Sequence, residues 1–135
     1  MLKILNKGEA PAEHPSELVG RFVGKEGVMQ FRGYGRPMLV TGYSGGRLYV
    51  KVGIIDSKPL GEDATMRPTD EWDEDAYIQM SSVAYVCDTI EECNAMLRAG
   101  RRSLKIWQEG ERRIKAECDQ VFDELVAEHS ADPAP

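Results

Sequence analysis

From Ile90 onward, one face of the chain returns at alternating steps of three and four: Ile90, Cys93, Leu97, Gly100, Leu104, Trp107, Glu111, Ile114, Cys118, Val121 and Leu125. Nine of these eleven positions are apolar, and the phase never slips. That spacing stacks side chains on one side of an α-helix and predicts a helical extension over residues 88–129. Two starts fit. Asp88 with Glu91, or Thr89 with Glu92, would satisfy the first free N–H groups as a capping box. Gly100 and Gly110 each oppose the helix by about 1 kcal/mol relative to Ala. Gly100 is the place where a first helix would end if the segment broke, but the unbroken phase favours one helix. The apolar stripe is wide at Ile90–Leu97 and at Cys118–Val126, and thin between them.

Upstream the period changes. Leu2–Leu5 reads as a short edge strand, and residues 6–15, with two prolines and a glycine, as turns. Ser16 can cap a short helical turn that Gly20 and Gly24 keep from growing. Val28–Phe31 is a strand candidate. The sharpest local pattern is Pro37–Tyr43 and Arg47–Val52 around Ser44-Gly45-Gly46, a hairpin whose turn glycines tolerate positive φ. Its simplest register sets Tyr43 opposite Leu48, Thr41 opposite Val50 and Leu39 opposite Val52. Tyr77–Met80 and Val83–Cys87 read as two more strands joined at Ser81-Ser82.

Five or six short strands in so few residues suit a small antiparallel barrel better than two packed sheets. The order of glycine hairpin, long loop, strand, tight corner and last strand, over Phe22–Cys87, resembles in pattern the small SH3-like barrels. The expected class is therefore α+β: a small antiparallel β-barrel with an N-terminal arm and an acidic loop at 53–76 (residues 1–87), a long C-terminal helix (88–129), and a disordered tail (130–135). A helix of about 40 residues spans roughly 60 Å at 1.5 Å per residue. A straight one must project beyond so small a barrel.

With 135 residues the chain can bury one core without staples. No apolar run nears the roughly 18 residues of a membrane span. Met1–Leu5 is too short for the apolar part of a signal peptide. The expected location is the cytoplasm, away from membranes. Cys87, Cys93 and Cys118 have no metal-ligand spacing and read as buried, reduced thiols. The net charge of -6 is unevenly spread. Residues 1–60 carry a net +4, residues 61–99 a net -8, and residues 100–135 a net -2.

This layout weighs against most enzymes. His14 and His129 lie in segments expected to be mobile, where neither can serve a nucleophile. Both glycine-rich stretches lack the phosphate-loop lysine. No cofactor or metal is expected, and no catalytic residue is assigned. The acidic stretch Glu62, Asp63, Asp70, Glu71, Trp72, Asp73, Glu74 and Asp75 is the candidate partner-binding segment, with Trp72 as anchor. Trp107, Ile114, Cys118, Val121, Phe122 and Leu125 form the candidate oligomerisation face, which fits a second copy or another protein. Arg32, Tyr34 and Arg36 are the alternative, a site where bases stack and phosphates pair on a single-stranded nucleic acid. The leading expectation is a non-enzymatic binding protein, a regulator or inhibitor, with a protein partner and a homo-oligomeric state.

Overall fold

The computed structural model describes residues 1–27, 31–56, 65–66 and 72–129. Residues 28–30 of the strand candidate Val28–Phe31, the acidic residues Glu62, Asp63, Asp70 and Glu71, and the tail 130–135 lie outside the described residues, and Phe31 itself lies in a bend rather than a strand. In chain order the elements are β1 (Lys3–Ile4), a 3-10 turn (Pro15–Leu18), β2 (Phe22–Lys25), β3 (Met38–Ser44), β4 (Arg47–Gly53), β5 (Ile55–Asp56), β6 (Thr65–Met66) and β7 (Trp72–Gln79). A second 3-10 turn (Met80–Ser82), β8 (Val83–Cys87) and α1 (Ile90–His129) complete them.

Among the described residues, six strands form one antiparallel sheet in the order β1-β8-β2-β3-β4-β7, and β5 and β6 form a separate pair. The sheet is open, which corrects the expected barrel. Its two ends are β1 and β7, and β1 takes the outer edge of β8 with Lys3 opposite Val86 and Ile4 opposite Tyr85. The edge at which β7 would have to close is thus occupied.

The hairpin forms, with Gly45 at φ +60 in its turn. Ser44 faces Arg47 and Tyr43 faces Leu48, as the sequence predicts. The register then shifts by one, so that Val40 faces Val50 and Leu39 faces Lys51. Thr41 is the extra residue, and its hydroxyl donates to the Tyr49 carbonyl at 3.2 Å. The bulge lets Val40 join Leu48 and Val50 in the core, where the simple register would have buried Thr41.

The stretch Ser16–Val23, ambiguous in sequence, divides in the structure: a short 3-10 turn forms over Pro15–Leu18, and Phe22 opens β2, a strand covered on both faces. Val23 packs with Leu18, Met38, Val40, Leu48, Val50, Ile78, Val83 and Val86 on one side. Phe22 packs with Tyr85, Cys87, Cys93, Met96 and Leu97 on the other. A strand buried on both faces shows no period-two alternation, so its signal is missing from the sequence. Gly24 is fixed by this packing. A Cβ there would lie 1.9 Å from Tyr85 Cε1, so only glycine admits the buried ring.

Helix α1 runs unbroken through Gly100 and Gly110. Thr89 is its cap: its hydroxyl accepts from Glu92 N–H at 3.2 Å, and Glu92 Oε1 accepts from Thr89 Oγ1 and from Asp88 N–H, both at 3.1 Å. Asp88 turns away to Arg21, whose Nε donates to it at 2.6 Å. The first two turns bury Cys93, Met96 and Leu97 against β2 and β8. Farther along, the Phe31 and Trp107 rings lie 5.9 Å apart, tilted by 40°. From Glu111 to His129 every residue is exposed.

Candidate functional site

The exposed arm is the most distinctive surface. Of the six residues proposed for oligomerisation, Trp107 is half-buried beside Phe31, whereas Ile114, Cys118, Val121, Phe122 and Leu125 are exposed. Phe122 is 66% exposed and Leu125 48%. Cys118 therefore departs from the expectation of a buried thiol. A turn of helix with this much open apolar area is uncommon in a chain with nothing to bind. It also lacks packing, the usual source of helix stability.

The charges along this arm carry a signal that the seam alone does not show. Residues 101–115 hold six Lys or Arg and two Glu, a net +4. Residues 117–128 hold Glu117, Asp119, Asp123, Glu124 and Glu128 and no Lys or Arg, a net -5. The acidic half sits at the C-terminal end, where the helix dipole favours cations. Within it, Gln120 Nε2 donates to Glu124 Oε1 at 3.0 Å.

The acidic stretch is not wholly a loop. Strand β7 begins at Trp72, so Trp72, Asp73, Glu74 and Asp75 lie on the terminal strand of the sheet. Asp75 is exposed and registers opposite Lys51, and Trp72 opposite Gly53. Charge on an outer strand is a common means of keeping it from pairing with other chains.

The structure brings Arg32 and Tyr34 together, but against each other. Arg32 Nε donates to the Tyr34 hydroxyl at 3.0 Å, and Tyr34 stands edge-on to Tyr85 with centroids 5.5 Å apart. Arg36 is exposed nearby. A different aromatic and basic group lies on the sheet. Arg47 covers the Tyr77 ring at 4.9 Å, Tyr77 is registered opposite Tyr49, and Lys51 follows on the same strand. Tyr49 and Tyr77 are both exposed. The alternation of the hairpin already sets Tyr49 and Lys51 on one outer face, but the pairing that brings Tyr77 opposite Tyr49 joins strands distant in sequence.

Elsewhere the titratable groups serve the fold. A cleft of about 1120 Å³ lies between residues 5–11, the residues Glu26, Arg32 and Tyr34, and residues 79–84. Among the described residues no cluster of His, Cys, Asp or Glu could hold a metal ion. His14 caps the first 3-10 turn, its Nδ1 accepting from Ser16 N–H at 3.2 Å, and stands edge-on to Tyr43. Cys87 and Cys93 are buried with sulfurs 3.5 Å apart. The contact with Cys87, then burial, pushes the Cys93 thiol up. The Tyr85 hydroxyl is buried without a partner among the described residues, and burial pushes its pKa up. The hydrogen bond from Arg21, then that from the N-terminal ammonium, holds Asp88 down at about 2. No helix among the described residues is long and apolar enough to cross a membrane. No family model matches the chain, no curated protein matches it, and no solved structure matches it.

Proposed function

We propose that this chain is a non-enzymatic, cytoplasmic macromolecule-binding protein, a regulator or inhibitor, that engages its partner through the projecting arm of α1. One observation carries the reading: Ile114, Cys118, Val121, Phe122 and Leu125 line a single helical face that the chain's own sheet leaves exposed. The sheet anchors the first turns and holds the arm out as a docking element, in the manner of a helix laid into a partner's groove. The acidic stretch from Glu62 to Asp75 is the second contact in this reading, offering charge to a basic partner. The finer fold reading belongs here too. The run β2-β3-β4-β7, followed by a 3-10 turn and a return of β8 beside β2, supports the SH3-like pattern.

The test is sedimentation velocity of labelled protein, purified and in an extract of its native host. Wild type should enter species larger than its 15.1 kDa chain in at least one of the two. The variant Val121→Asp with Leu125→Asp should not, while its sheet melts as in wild type. A wild-type chain that stays monomeric in both would overturn the proposal.

Single-strand nucleic-acid binding is the second reading, and its support has moved. Arg32 and Tyr34 are engaged with each other, whereas Arg47, Tyr49, Lys51 and Tyr77 present rings and cations on one sheet face. Titration with a labelled oligonucleotide at two salt concentrations separates the readings. Salt-sensitive micromolar binding would favour this one, and its loss in either Arg32→Ala with Arg36→Ala or Arg47→Ala would say which residues carry it.

A further inference from the structure

We propose that the arm's partner is a second copy of this chain, paired with it antiparallel along residues 103–129. The inference rests on the docking role given to the arm and names the occupant of that same face. Three observations carry it.

The first is charge. The net +4 of residues 101–115 and the net -5 of residues 117–128 lie end to end on one helix. A parallel pair sets like against like at both ends. An antiparallel pair sets each basic half against the other copy's acidic half and places the two helix dipoles head to tail. The acids that sit badly at the C-terminal end of an isolated helix thereby gain cationic neighbours.

The second is the seam. Antiparallel helices meet in layers that join the two alternating seam positions. Centring the pair near Ala116 satisfies this rule and matches the charge halves at once. Ile114 of one copy then lies level with Cys118 of the other, Glu111 with Val121, and Trp107 with Leu125. Each of these layers brings in at least one exposed apolar residue of the far arm.

The third is fit. With the centre near Ala116, His129 of one copy comes level with Ser103 of the other. Ser103 lies just beyond the turns in which Cys93, Met96 and Leu97 bind the sheet. The fully exposed stretches overlap over residues 111–121, and the tip of each helix, residues 122–129, lies along residues 103–110 of the other copy, where Trp107 is half-buried beside Phe31. A pairing shifted toward the sheets would drive each helix tip into the other copy's body.

The experiment combines sedimentation of wild type with a spin-label distance. The label goes on Ala127→Cys in a Cys118→Ala background, where Cys87 and Cys93 are buried and do not react. Antiparallel pairing about Ala116 sets the two labelled positions about 33 Å apart, from 11 residues on each side at 1.5 Å per residue. A parallel pair sets them roughly 10 Å apart at the helix axes. A second reporter, Arg102→Cys in the same background, should give about 42 Å by the same reckoning. A dimer with both long distances supports the proposal. A dimer with short distances overturns the antiparallel arrangement. Wild type that is monomeric when purified overturns the second copy as partner. If that wild type still enters a larger species in the host extract, the docking role stands and only this inference fails.

Discussion

At Cys93, Met96 and Leu97 the helix meets a sheet; at Ile114, Val121 and Leu125 the same helix, in the same phase, meets water. The near turns are held by packing against Phe22, Tyr85 and Cys87 and by the Thr89–Glu92 cap. The far turns have neither, and Gly110 stands at the point where exposure becomes complete. Most helical stability in proteins comes from tertiary packing, which the chain's own sheet does not supply to the far turns. The comparison separates two settings of one pattern: a seam that builds a core, and a seam left exposed, which our proposal gives to a partner.

The sharpest way to break the comparison is to truncate both ends alike. Leu97→Ala removes a side chain only 9% exposed and should cost about 2–5 kcal/mol in denaturant unfolding. Leu125→Ala should change the unfolding of the dilute monomer by less than about 0.5 kcal/mol, while weakening self-association in sedimentation. Equal losses at both positions would show that the far seam is already packed.

Next in size is the sheet's tightest contact. Gly24→Ala sets a Cβ into the Tyr85 ring, which is fully buried and has no room to move. A loss of about 3 kcal/mol is expected, with the near turns of α1 loosened because they rest on the same ring. An unchanged melt would mean that β2 and β8 separate easily. Gly110→Ala is the opposite case. Open space surrounds that position, so the change should stabilise the arm by about 1 kcal/mol and raise helical circular dichroism. No rise would mean that the arm is already fully helical.

Smallest is the ion pair at the helix's foot. The Asp88 carboxyl, held at about 2 chiefly by Arg21, is below its ordinary value of 3.8. Its contribution is whole above about pH 4 and is lost as pH falls through about 2. Arg21→Ala should move the Asp88 titration seen by NMR back toward 3.8 without touching the arm. A titration that stays near 2 would assign the shift to the N-terminal ammonium.

The sequence made the helix and the hairpin legible because each repeats a period over many residues. The phase from Ile90 to Leu125 survives two glycines, and Gly45-Gly46 marks its turn. Strand β2 escaped notice because Phe22 and Val23 face two different cores, which erases alternation. Strand β7 was read as starting late because Asp73, Glu74 and Asp75 look like a loop when the strand they occupy is the last of its sheet. The open sheet was out of reach, since it depends on where two residues, Lys3 and Ile4, find an edge. The seam residues of the arm were readable at once. The charge reversal near Ala116 was equally present in the sequence, but the sign within each half is lost when the whole segment is summed to a net -2.

The most direct measurement is amide hydrogen exchange along α1 at low and high protein concentration. The amides of Cys93, Met96 and Leu97 should be protected at both. Those from Glu111 to His129 should exchange fast in dilute protein and slow down as concentration rises. Strong protection of 111–129 in the dilute monomer, unchanged on concentration, would contradict an arm that depends on a second copy.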